Sequence, residues 1–173
     1  MLHVAPEPPL AARLRSVPGI EYLAGDLHPA PGQLALDLRD LDLPDASFGL
    51  ILCLHVLEHI DDDRRALREL RRVLRPGGAA ILQVPRRRGP TLEDPSVTTP
   101  AERLARFGQV DHVRVYGDDY EDRLREAGFD VRVEVFRDEL SPGERRRYGL
   151  PRDQEDDRLW EIVSARAASG GTP

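Results

Sequence analysis

Residues 48–54 (FGLILCL) form a short, almost unbroken apolar run, and residues 79–84 (AAILQV) form a second. Runs of this length without polar alternation suit strands covered on both faces. Between them lie Asp61, Asp62 and Asp63, then Ala66, Leu67, Leu70, Val73 and Leu74 at helical spacing, then Pro76-Gly77-Gly78. The aspartates predict an N-cap and a negative first turn, and the Pro-Gly-Gly predicts the stop. A strand, a helix and a strand in that order make a right-handed crossover between parallel neighbours. The chain is therefore expected to be α/β, with a doubly wound, mostly parallel sheet.

The rest of the chain extends this pattern. Strands are predicted at residues 2–5, 20–24, 34–36, 129–136 and 159–165, with a short helix around 11–15 and another over 118–127. Residues 86–100 read as a proline-rich loop and 141–157 as polar and turn-rich. The 173 residues suit one domain, expected over 1–165, with 166–173 as a disordered tail. Ligands in such sheets bind beyond the carboxyl ends of the strands.

Composition removes several chemistries. All 25 Lys+Arg are arginines, and asparagine is absent too, as in a GC-rich bacterial coding bias. Without lysine there is no Schiff-base chemistry and no lysine-dependent phosphate loop. One cysteine, Cys53, excludes an intrachain disulfide. A net charge of −6 argues against a nucleic-acid partner, and Arg86-Arg87-Arg88 and Arg145-Arg146-Arg147 read as solvated loop charge. No apolar run approaches the ~20 residues of a membrane span, so no membrane association and a cytoplasmic location are expected.

Residues 43–51 (LPDASFGLI), 55–60 (HVLEHI) and 70–78 (LRRVLRPGG) occur in an order that resembles the class I S-adenosylmethionine-dependent methyltransferases, particularly the small-molecule group called type 11. The resemblance implies a Rossmann-like, seven-stranded sheet whose last strand is antiparallel. It implies S-adenosylmethionine as methyl donor, S-adenosylhomocysteine as product and a small-molecule substrate. By the same resemblance, Asp26, followed by Leu27, would hold the ribose hydroxyls, and Asp37-Leu38 would face the adenine. A turn aspartate and a capping aspartate are the structural alternatives for those two positions. Cys53, Leu54 and His55 would close the pocket at the end of the central strand, with Cys53 also readable as core.

The departure from the family lies at the first strand. His3 stands where an acidic residue is usual, and Ala5, Glu7 and Pro9 stand near positions that are usually glycine. Prolines remove amide donors and fix φ, so the methionine end would rest on Ala5, Pro6 and Glu7, with the Glu7 carboxylate as a partner for the cofactor's ammonium. The family's N-terminal helices are missing, so a homodimer or a partner protein is expected over the exposed sheet.

A neutral histidine suits proton removal from a hydroxyl near pH 7. His112 and His55 are the candidate catalytic residues, with Asp111 or Asp118 orienting His112, and Arg114 and Tyr116 as secondary candidates. His59 reads as structural. Of His55, Glu58 and His59 only Glu58 brings a carboxylate, so no metal site is expected. The implied activity is methyl transfer to a small hydroxyl, amine or carbon nucleophile, with natural-product metabolism as the expected setting. The alternatives are an enzyme that keeps the fold without methyl transfer, such as a cyclase, and a non-enzymatic accessory subunit.

Overall fold

The structure is a computed structural model that describes residues 1–135, 139–147 and 161–167. Seven strands form the main sheet: β1 (Leu2–Val4), β2 (Leu23–Asp26), β3 (Leu34–Ala35), β4 (Phe48–Leu54), β5 (Leu74–Gln83), β8 (Phe129–Val135) and β9 (Glu161–Ala167). Their order is β3-β2-β1-β4-β5-β9-β8. β3, β2, β1, β4 and β5 run parallel, and β9 is antiparallel to both of its neighbours. A separate ribbon pairs β6 (Leu92–Glu93) with β7 (Arg114–Val115).

The central strands earn their place by burial. Ile51, Leu52 and Cys53 of β4 and Ala80 and Leu82 of β5 are in the core. Helix α2 (Asp63–Val73) presents Ala66, Leu67, Leu70 and Val73 on one stripe, all buried. Asp62 caps it by accepting from the Arg65 amide. Helix α1 (Pro8–Arg15) uses its two prolines in the first turn, where no intrahelical amide is needed. Among the described residues no helix is long and apolar enough to cross a membrane.

Several boundaries differ from expectation. β2 begins at Leu23 instead of Ile20, because Gly19 (φ 80) and an Ile20 amide bond to the Val17 carbonyl extend the turn. Pro76-Gly77-Gly78 does not separate helix from strand. α2 stops at Val73, and β5 starts at Leu74 and runs through the Pro-Gly-Gly with a register shift against β4. Arg166 and Ala167, expected in the tail, pair with Ala79 and Phe129 and belong to β9. The expected strand residues Phe136, Leu159 and Trp160 lie outside the described residues.

The stretch after β5 is more ordered than its prolines suggest. α3 (Pro100–Phe107) is closed by a capping box, in which the Thr99 hydroxyl accepts from the Glu102 amide and the Glu102 carboxylate accepts from the Thr99 amide. Gly108 (φ 86) ends it in the left-handed conformation. α4 (Tyr120–Glu126) precedes β8, and a short α5 (Pro142–Arg147) lies in the stretch expected to be turns.

Candidate functional site

A cavity of about 620 Å³ opens beyond the carboxyl ends of β1, β2 and β4. Val4 and Ala5 reach it from β1, Asp26 and Leu27 from β2, and His55 from β4. Leu36, Asp37, Leu38 and Arg39 form one side, and Val56, His59, Ile60, Asp61, Arg103 and Asp111 form another. The volume suits a small ligand or cofactor. Ala5, Asp26, Leu27, Asp37, Leu38 and His55 thus share one cavity. Pro6, Glu7, Cys53, Leu54 and His112 are not on its wall.

Two of the lining residues have left-handed backbones without being glycine: Ala5 (φ 45) and His55 (φ 54). That conformation costs an L-residue about 1–2 kcal/mol. It persists because neighbours fix it: the Ala5 amide donates to the Gly25 carbonyl at 2.8 Å and the His55 amide to the Gln83 carbonyl at 2.8 Å. Ala5 therefore adopts a glycine-like turn at the end of β1. Ala5→Gly should stabilise the protein by about 1 kcal/mol, a rise of about 2–4 °C in thermal midpoint. A fall in the midpoint would show that the turn is unstrained.

His3 is fully buried and ties this turn down. One ring nitrogen lies 2.8 Å from the Tyr22 hydroxyl and the other 3.1 Å from the Glu7 carboxylate. Glu7 is consequently engaged with His3 at the start of α1. Cys53 is fully buried, and burial pushes its thiol up.

The two cavity aspartates differ. Asp26 Oδ1 accepts from the His28 amide at 2.8 Å, and Oδ2 has no hydrogen-bond partner among the described residues. Asp37 is held by Arg39, whose Nε and Nη2 donate to it at 3.0 and 2.8 Å and whose amide donates at 2.9 Å. Those bonds hold its carboxyl below the usual carboxylate range.

The histidines sort by exposure. The His55 side chain is 59% exposed, and its Nδ1 lies 3.6 Å from Glu58 Oε1. The carboxylate holds that imidazole above its ordinary value, outweighing desolvation. His59, on the 3-10 turn Leu57–His59, has Nδ1 3.3 Å from Asp111 Oδ2. His112 is buried behind it, with ring centroids 4.7 Å apart and planes nearly perpendicular. Burial, then His59, holds His112 below the ordinary histidine value. Asp111, expected to orient His112, serves His59 instead, and Asp118 accepts from the Gly89 amide.

Arg114 and Tyr116 are structural as well. Arg114 donates to the carbonyls of Leu57, Ile60 and Asp61, which pins the 3-10 turn against β7. The Tyr116 hydroxyl donates to Asp63 at 2.8 Å. Arg123 bonds the same Asp63 oxygen at 3.0 Å, and Glu93 bridges Arg114 and Arg123. A second cavity of about 530 Å³ lies beside these residues, with Asp63, Glu93, Arg114 and Arg123 in its wall. Arg86 is not solvated loop charge: its side chain is 5% exposed and pairs with Glu121 and Glu161.

Sequence reasoning passed over Arg39, Arg103 and the pocket role of His59. A signal for Arg39 was present, since Asp37-x-Arg39 is a spacing at which side chain and amide can both return to the aspartate.

Residues 10–82 match the family described as methyltransferase domain. The chain is 37% identical over 97 residues to 27-O-demethylrifamycin SV methyltransferase of Amycolatopsis mediterranei (strain S699), covering 54% of this chain and 34% of that enzyme. It is 34% identical over 118 residues to O-methyltransferase cnsE of Penicillium expansum, covering 68% of this chain and 39% of that one. These matches take in between a third and two fifths of each relative's length. Among solved structures, the [4+2]-cyclase SpnF is similar with a TM-score of 0.64 at 16% identity, covering 98% of this chain and 75% of that one. At that identity the likeness concerns the fold.

Proposed function

We propose that the chain is a class I S-adenosylmethionine-dependent methyltransferase, a reading supported by the match of residues 10–82, and that it moves a methyl group from S-adenosylmethionine to a hydroxyl of a small molecule. The observation that carries the reading is the single cavity that joins Asp26, Asp37, Leu38, the glycine-like turn at Ala5 and the exposed imidazole of His55. The hydroxyl is chosen over an amine or carbon acceptor because the two curated relatives described above are O-methyltransferases by name or by the position they methylate.

The residues fit the cofactor. Asp26 keeps a carboxylate oxygen without a hydrogen-bond partner among the described residues at the end of β2, which suits a ribose diol. Leu27, Leu36 and Leu38 supply apolar wall for a flat base. When bound, the cofactor supplies an electrophilic sulfonium methyl. The chain's own task is to align the acceptor and receive its proton. His55 Nδ1 faces Glu58, so Nε2 is the nitrogen offered to an acceptor hydroxyl.

Calorimetry with S-adenosylmethionine and S-adenosylhomocysteine tests the reading, with saturable binding expected. Asp26→Ala should weaken binding about 5- to 150-fold, the loss of about 1–3 kcal/mol from charge-assisted hydrogen bonds. Unchanged affinity would remove the ribose assignment, and no binding by the unaltered protein would remove the function. A second reading, the fold retained without methyl transfer, draws on the turn Ala5-Pro6-Glu7, which contains no glycine. Tight binding of both ligands, with no acceptor in a panel of hydroxylated small molecules releasing S-adenosylhomocysteine, would favour it.

A further inference from the structure

Glu58, His59 and His112 come together although His112 is 53 positions from His59 in the chain. A backbone bond makes the junction: the Val113 amide donates to the Glu58 carbonyl at 2.9 Å, so His112 arrives beside the 3-10 turn. One donor atom from each of the three side chains lies within 4.8 Å of the other two. Glu58 is 1% exposed and His112 is 4% exposed.

Glu58 Oε2 is buried and has no hydrogen-bond partner among the described residues. A carboxylate oxygen left this way carries a desolvation penalty that folds normally avoid. Glu58 Oε1 faces His55, and His59 Nδ1 faces Asp111. The buried Glu58 Oε2 is thus a carboxylate oxygen left without a partner beside two imidazoles. A carboxylate behind an imidazole, as Asp111 stands behind His59, is the arrangement that fixes metal-ligating histidines.

We propose that Glu58, His59 and His112 form a binding site for one divalent transition-metal ion in the wall of the cavity. The N2O donor set suits zinc, cobalt, nickel or iron(II) over magnesium or calcium, which take oxygen. In a tetrahedral site at zinc-like bond lengths the donors stand about 3.4 Å apart, so small side-chain rotations close the group. Three protein ligands leave a position for water or a substrate oxygen. His59 and Asp111 line the cavity, which places the ion beside the ligand space.

The test uses chelator-treated full-length protein without cofactor, titrated with Zn2+ by calorimetry and with Co2+ by visible absorption. About one equivalent is expected to bind, with a rise in thermal midpoint. His112→Ala and Glu58→Gln should weaken binding at least tenfold, and Asp111→Asn about 10- to 100-fold through the orientation of His59. His28→Ala, at an exposed histidine, should leave it unchanged. Equal affinity in the unaltered protein and His112→Ala, or no saturable binding, would overturn the proposal. Should the buried variants not fold, ring proton signals of the unaltered protein decide. Zinc-dependent shifts at both His59 and His112 support the site, and shifts confined to His28 or absent altogether refute it.

Discussion

Asp63→Ala should cost the fold about 3–5 kcal/mol, the loss expected when one partner is removed from a buried ion pair. The Asp63 side chain is 5% exposed and Arg123 is 7% exposed. Asp63 Oδ2 serves both the Tyr116 hydroxyl and Arg123. Among the described residues, removing it leaves a buried guanidinium with Glu93 and Asp119, both partly exposed, as acidic partners, and a buried phenol with the Leu57 carbonyl at 3.3 Å as its remaining acceptor. Domains have only about 5–15 kcal/mol of net stability, so the midpoint of urea unfolding should fall sharply at unchanged slope. Asp63→Asn keeps an acceptor for Tyr116 but not the charge and should fall between the two. A loss below about 1 kcal/mol would mean that water reaches Arg123.

The second large effect concerns turnover. If His55 receives the acceptor's proton, His55→Ala should lower the rate of S-adenosylhomocysteine release about 10²- to 10⁴-fold. Cofactor affinity should fall less than in Asp26→Ala, because His55 is asked to act on the acceptor. Turnover within about threefold of the unaltered protein would leave proximity and orientation as the account of catalysis. His112, which the sequence also nominates as a base, stands behind His59 and off the cavity wall. His112→Ala is therefore expected to act through His59.

What was readable in the chain was whatever a local pattern determines. β4 and α2 are visible because burial on two faces leaves an apolar run and burial on one stripe leaves a 3.6-residue period. Asp26, Asp37 and His55 are visible because strand ends are where such a sheet binds ligands. α3 was hidden by its setting: Thr99-Pro100-Ala101-Glu102 is a capping box with proline at the first helical position, inside a stretch whose other prolines read as loop. The partnership of Asp111 with His59, and of His112 with Glu58, could not be read locally. Both depend on the Val113–Glu58 backbone bond and on Arg114 gripping the carbonyls of Leu57, Ile60 and Asp61, contacts that span more than fifty residues. The burial of Arg86 has the same origin, since Glu121 and Glu161 reach it from α4 and β9.

The position of β9 has a consequence for the order in which the molecule is built. Among the described residues β8 has no sheet partner except β9, and β5 meets β9 on the side away from β4. Until Glu161–Ala167 leaves the ribosome, the nascent chain therefore exposes the edge of β5, while β8 waits without a neighbour. Unpaired edges invite pairing with other chains, and closure by so distant a segment is slow compared with local contacts. The cavity lies on the β1, β2 and β4 side, formed from residues made long before. The ligand-binding half can thus take shape during synthesis, while protection against aggregation arrives only with the last strand.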